Sequence, residues 1–284
     1  MSTLDEPGIP LREAGLVRLR LNLAYDGTAY SGWALQPGLP TVQGVLTDAL
    51  RTVLRSDELR LVVAGRTDAG VHASGQVAHC DVEARHWQHH RDQLVRRLAG
   101  LLPRDIRVNS VAEVGMDFDA RFAALWRRYH YRISDADAGP DPLRRQDTVG
   151  WKRSLDVTRM QQAAELLLGL NDFAAYCRRR EGASTIRQLQ RLAIVRTADL
   201  IEIDVQADAF CHSMVRSLVG ALAAVGEGLH QVDWPARLLH LGRRSDEVRV
   251  APARGLTLVE VGYPAADQLA ERAAETRAFR SPPA

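Results

Sequence analysis

Two hydrophobic periodicities alternate along the chain, and that alternation restricts its possible folds more than any other feature. From Leu16 to Tyr25 apolar and polar residues alternate at period two, the pattern of a strand with one wet face, and Asp26-Gly27 ends it in a turn. After a Gly/Pro-rich loop, Thr41 is placed to cap a helix whose apolar positions Val42, Val45, Leu46, Ala49, Leu50 and Val53 follow helical spacing. Residues 59–64 then read as a strand, 65–74 as a glycine-punctuated loop, 76–82 as a strand, 87–101 as a helix stopped before Pro103, and 106–114 as a strand. The second half repeats this grammar. A strand is expected over 127–133, a helix from an Asp156 cap to residue 168, a hairpin of 192–197 with 200–205 across Ala198-Asp199, a long apolar helix over 210–225 and a closing strand over 256–261. Long parallel-sheet runs and a dinucleotide glycine fingerprint are both missing. The expected class is therefore α+β: two related α/β halves, each a mainly antiparallel sheet backed by helices, joined into one extended sheet with a central cleft. The halves are expected at 15–120 and 121–265, with residues 1–14 a disordered leader and 266–284 a tail.

With 284 residues, 46% of them hydrophobic, the chain can bury a core for one large or two medium domains. No run of about 18 apolar residues occurs, nor the basic, apolar, small-residue order of a secretory signal, so neither is expected. Cys80, Cys177 and Cys211 lie far apart and form no C-x-x-C pair; they support neither a disulfide framework nor a zinc knuckle, and a reducing, cytoplasmic setting fits. His86, His89 and His90 have i, i+3, i+4 spacing without a matching carboxylate, which reads as an exposed helix face rather than a metal site.

The formal charge of +2 marks no nucleic-acid binder, but its placement does. All but one of the 37 basic side chains are arginines. Residues 121–153 carry eight basic groups against four acidic ones, and residues 174–196 carry six arginines against Glu181 alone. Basic charge is thus gathered into two central segments, the footprint expected for a polyanion.

The densest chemical signal is Gly65-Arg66-Thr67-Asp68-Ala69-Gly70-Val71-His72. A carboxylate stands in a loop with glycine at both ends, which lets the backbone come close to a ligand. This string, with Gly75-Gln76-Val77 after it, resembles the catalytic loop of the tRNA pseudouridine synthase A family. Further matches follow in family order: Tyr25-Asp26-Gly27, Ser31-Gly32-Trp33, Arg121-Phe122, Arg127-Arg128-Tyr129, Asn171-Asp172-Phe173, Phe210, Met214-Val215-Arg216, Val219-Gly220, Gly255-Leu256 and Tyr263-Pro264. Ala34 departs from the Gln common there.

The resemblance implies isomerisation of uridine to pseudouridine at positions 38, 39 and 40 in the anticodon stem-loop of tRNA, with base flipping and with no organic cofactor or metal. By position in the motifs, Asp68 is the nucleophile, Arg216 its ion-pair partner, and Tyr129 the aromatic that stacks on the uracil and can pass a proton. Arg66 would enter the space left by the flipped base, and Leu256 or Leu258 would line the uracil pocket. Arg127, Arg128, Arg144, Arg145, Arg178, Arg179, Arg180 and Arg187 are the expected phosphate contacts. Attack at C1′, attack at C6 and removal of the C2′ proton all need the same carboxylate, and stay open. The family also implies a homodimer. Two rival readings are a tRNA-binding protein of the same fold that does not catalyse, and a hydrolase pairing Asp68 with His72.

Overall fold

The ten-residue alternation at the start forms strand β1 (Leu16–Tyr25), with Leu19, Leu21, Leu23 and Tyr25 turned into the core. The computed structural model describes residues 15–56, 58–178 and 184–277; the expected leader, Arg179 and Arg180 lie outside that range. Thr41 caps α1 (Val42–Leu54) by accepting from the Gly44 backbone N–H, which satisfies one of the donors a helix start leaves free. Then come β2 (Val62–Val63), β3 (His72–Glu83), α2 (Ala84–His90), α3 (Leu94–Leu101) and β4 (Ile106–Val114). The second half contributes β5 (Trp126–Ser134), β6 (Val149–Gly150), α4 (Val157–Glu165), β7 (Gly169–Asp172), β8 (Ile186–Thr197), β9 (Leu200–Ala207), α5 (Met214–Gly226), α6 (Trp234–Leu238), β10 (Leu256–Gly262) and α7 (Leu269–Arg277).

The strands make one sheet in the order β4-β1-β3-β10-β5-β9-β8-β7, with β2 beside β3 and β6 beside β5. Most neighbours are antiparallel, and the halves meet where β10 runs parallel to β3, Thr257 opposite His72 and Leu258 opposite Ala73. This junction is tight. A Cβ on Gly75 would stand 2.0 Å from the Val259 carbonyl oxygen, so only glycine lets the two backbones pass. The mixed α/β architecture with one extended sheet is as expected.

Several elements differ from the sequence reading. The helix expected over 87–101 breaks at 91–93, where Arg91, Asp92 and Gln93 are all exposed and give the core no anchor. The first-half strand at 59–64 shortens to β2. The long apolar helix begins at Met214, because Ser213 holds a left-handed φ of 65° that a helix cannot contain. The helix from Asp156 stops at Glu165. Within the expected tail, Leu269–Arg277 form α7, which buries Leu269 and Ala273. Of the three histidines expected on an exposed face only His89 is exposed; His90 is buried and accepts from the Arg97 guanidinium at 2.8 Å, and His86, half-buried, donates to the Leu54 carbonyl. Cys177 and Cys211, 34 residues apart, are brought side by side with their Cα atoms 5.7 Å apart, a proximity that spacing along the chain cannot reveal.

Candidate active site

The loop carrying Asp68 leaves β2 and enters β3, and its shape is set by buried hydrogen bonds from both ends. The Gln76 amide donates to the Gly65 carbonyl at 2.9 Å and to the Tyr25 hydroxyl at 3.1 Å, and that hydroxyl pairs with Thr67 at 2.8 Å. Burial pushes the Tyr25 phenol up to about 12, so it stays a neutral hydrogen-bonding group here. The backbone N–H of Trp33 adds a bond to the Thr67 carbonyl at 3.1 Å. These contacts tie three family-like segments, around Tyr25, Trp33 and Gln76, to one purpose: they fix the backbone on either side of Asp68.

The Asp68 carboxylate, about a quarter exposed, meets three side chains from the start of α5 in the other half of the chain. Arg216 Nη1 and Ser213 Oγ each donate to Oδ2 at 3.3 Å, and His212 Nε2 lies 3.3 Å from Oδ1. Arg216 is aimed by a second bond, Nε to the Ala251 carbonyl at 2.8 Å, while Ala251 donates back to the Arg216 carbonyl at 3.0 Å. Close packing makes that exchange possible, since a Cβ on Gly220 would stand 1.8 Å from the Arg249 carbonyl oxygen. An arginine beside a carboxylate favours its ionised form and fixes its orientation.

Tyr129 lies on β5 opposite Leu258 of β10, and Tyr131 opposite Leu256, so these leucines and tyrosines share one sheet face. The Tyr129 ring packs edge-on against Phe210, centroids 5.2 Å apart, and its hydroxyl lies 3.7 Å from where a Cβ on Gly65 would be. Burial above all, with the neighbouring Asp68 carboxylate, holds the Tyr129 phenol well above its ordinary pKa, against the opposing pull of Arg127. It is therefore protonated at neutral pH.

The arginines separate into two groups. Arg127, expected on a phosphate, is buried: it donates to the carbonyls of Ala64, Asp208 and Arg121 and braces the strand that feeds the Asp68 loop. The expectation for it is corrected; its donors are spent inside the protein. Arg128 pairs with Glu260, Arg144 with Asp147, and Arg187 bonds the Ile186 and Ser184 carbonyls. Arg66 is exposed two residues before Asp68 and, among the described residues, has no hydrogen bond or ion pair. Arg178 is exposed, and its backbone N–H donates to the His212 carbonyl at 3.1 Å. Arg145 is exposed and bonds only the Pro142 carbonyl.

Sequence reasoning missed His212, Ser213 and Arg254. The first two sit within four residues of the expected Arg216, which was the available signal. Arg254 is exposed beside the loop: its carbonyl accepts from His72 Nε2 at 3.0 Å, and a Cβ on Gly70 would touch Ala253 at 3.4 Å. The remaining contacts of His72 are Asp26 and the Gly27 N–H, so the histidine at Asp68 is His212 and the proposed Asp68–His72 hydrolase pair does not form.

A single carboxylate braced by an arginine, at the seam of two half-sheets and near a buried tyrosine, is an arrangement able to offer a ligand one oxygen as nucleophile or base. The sequence model of the family described as "tRNA pseudouridine synthase" matches residues 23–123 and 163–264. Curated relatives named tRNA pseudouridine synthase A include those of Frankia casuarinae (57% identical, covering 95% of this chain and 97% of the relative), Streptomyces avermitilis (54%, covering 96% and 97%) and Corynebacterium glutamicum (51%, covering 94% and 96%). The chain belongs to the tRNA pseudouridine synthase family.

Proposed function

We propose that this protein isomerises uridine to pseudouridine at positions 38, 39 and 40 of the tRNA anticodon stem-loop, acting as a cytoplasmic homodimer. The observation that carries the reading is Asp68: it occupies the family's catalytic motif and is met by Arg216 at 3.3 Å from the opposite half of the chain. Residues 15–120 are the half that supplies Asp68, and 121–265 the half that supplies Tyr129 and Arg216. The reaction breaks the N1–C1′ bond and forms a C5–C1′ bond. C5 loses a proton and N1 gains one, so the product has the composition of the substrate and nothing is oxidised. Asp68 supplies the nucleophile or base, and a carboxylate can both add and leave. Arg216 orients it. Tyr129, already protonated, supports the reading of a stacking surface for the extruded uracil, with Leu256 and Leu258 beside it. Arg66 is free to fill the gap in the stem, where extrusion costs a few kcal/mol. The exposed Arg178, Arg254 and Arg145 are the candidates to meet the RNA backbone.

The reading is tested by incubating the protein with unmodified tRNA transcripts that differ only in which of positions 38, 39 and 40 carries uridine, then mapping pseudouridine by carbodiimide primer extension. Stops at the uridine in each transcript are expected. Stops elsewhere in the tRNA, or none, would count against it.

A further inference from the structure

We infer that His212 is a positioning residue for Asp68, holding the carboxylate so that one oxygen faces the substrate. The inference rests on the reading of Asp68 as the catalytic group. Three donors, His212, Ser213 and Arg216, approach that carboxylate from one short segment, but they divide unequally. Oδ2 accepts from both Arg216 and Ser213, whereas Oδ1 meets His212 alone. Each carboxylate oxygen has two lone-pair directions. Oδ2 is filled, and Oδ1 keeps one direction open.

Arg216 and Ser213 hold one oxygen; a donor on the second oxygen adds an independent restraint on rotation about the Cβ–Cγ bond. His212 supplies it through Nε2–H. Its own backbone is fixed, since its carbonyl accepts from Arg178 N–H at 3.1 Å and the next residue takes the left-handed conformation that starts α5. The ring is about a quarter exposed, at the mouth of the site rather than in the core. A core role does not account for its position.

All three donor distances are 3.3 Å, longer than charge-assisted bonds at their best, as is usual for a catalytic group before substrate binds. Losing one constraint on a reacting oxygen can cost roughly 10²-fold in rate without weakening binding.

The test compares His212→Ala, which removes the donor, with His212→Gln, whose amide N–H reaches about as far as Nε2, and with Asp68→Asn, all by steady-state kinetics on tRNA and by thermal melting. His212→Ala is expected to lower kcat about 10- to 100-fold with KM within about three-fold of the parent, and His212→Gln to recover most of that loss. Unchanged kcat in His212→Ala, a change confined to KM, or equal losses in the Ala and Gln variants would each overturn the inference. With Asp68→Asn inactive, those results remove the role of His212 alone; an active Asp68→Asn removes the reading of Asp68 and this inference together.

Discussion

At the scale of single residues, the chemistry follows from which groups are buried with their protons and which are left free to act. Tyr129 keeps its proton, so its ring matters more than its hydroxyl. Tyr129→Phe should retain kcat within about ten-fold, whereas Tyr129→Ala, which removes the stacking surface, should lose at least about 10²-fold, measured by single-turnover conversion of tRNA. The meeting of Asp68 with Arg216 was legible in the sequence because each sits in a short string with its own spacing. His212 and Arg254 were not, because their relevance arises only when the two halves meet. Arg127 was misread for a reason visible in hindsight along the strand. It shares period-two parity with Tyr129, Tyr131 and Ile133, all buried, and so had to point into the core.

At the scale of elements, strands and caps were legible wherever periodicity was unbroken. The hairpin of β8 and β9 turns at Ala198-Asp199 as expected, with Ala198 at φ 52°. Element boundaries were harder: the break at 91–93 and the late start of α5 depend on exposure and on one left-handed serine. The functional consequence lies in α5, whose start presents His212, Ser213 and Arg216 while its middle packs against residues 249–251. Gly220→Ala would push a methyl into the Arg249 carbonyl. It should destabilise the fold by about 1–3 kcal/mol, read as a lower urea midpoint, and reduce kcat by moving the carbonyl that aims Arg216.

At the scale of the whole molecule, the charge footprint changes meaning. The two basic segments draw acidic partners from elsewhere: Glu260 for Arg128, Glu202 for Arg132, Asp204 for Arg191 and Glu227 for Arg153. Segment sums therefore overstated the positive field, since pairing across strands cannot be seen along the chain. Under the proposed function, RNA contact falls instead to the exposed arginines Arg66, Arg178 and Arg254. Affinity for tRNA should fall steeply with salt, and the slope of log K against log salt should shrink by about one for each of Arg66→Gln, Arg178→Gln and Arg254→Gln that removes a phosphate contact. Filter binding from 50 to 300 mM salt, about the range over which such slopes are read, checks this.

One partly exposed ion pair of the second half ties stability to pH. Asp135 accepts two bonds of 2.7 Å from Arg196 and a third from the Leu155 N–H, and these hold its carboxyl below the usual range. A carboxylate whose folded pKa is depressed stabilises the fold above its unfolded value near 3.9, and that contribution is lost as pH falls through the folded one. Asp135→Asn should therefore cost about 1–3 kcal/mol at neutral pH and progressively less below about pH 4, by urea titrations at stepped pH.

The central claim is that Asp68 performs the chemistry and does not merely help bind RNA. Single-turnover conversion of an unmodified tRNA transcript by Asp68→Asn, with binding measured at the same salt, tests it most directly. Conversion slowed at least about 10³-fold with Kd within about three-fold of the parent is the predicted result. Conversion within about ten-fold of the parent would contradict it.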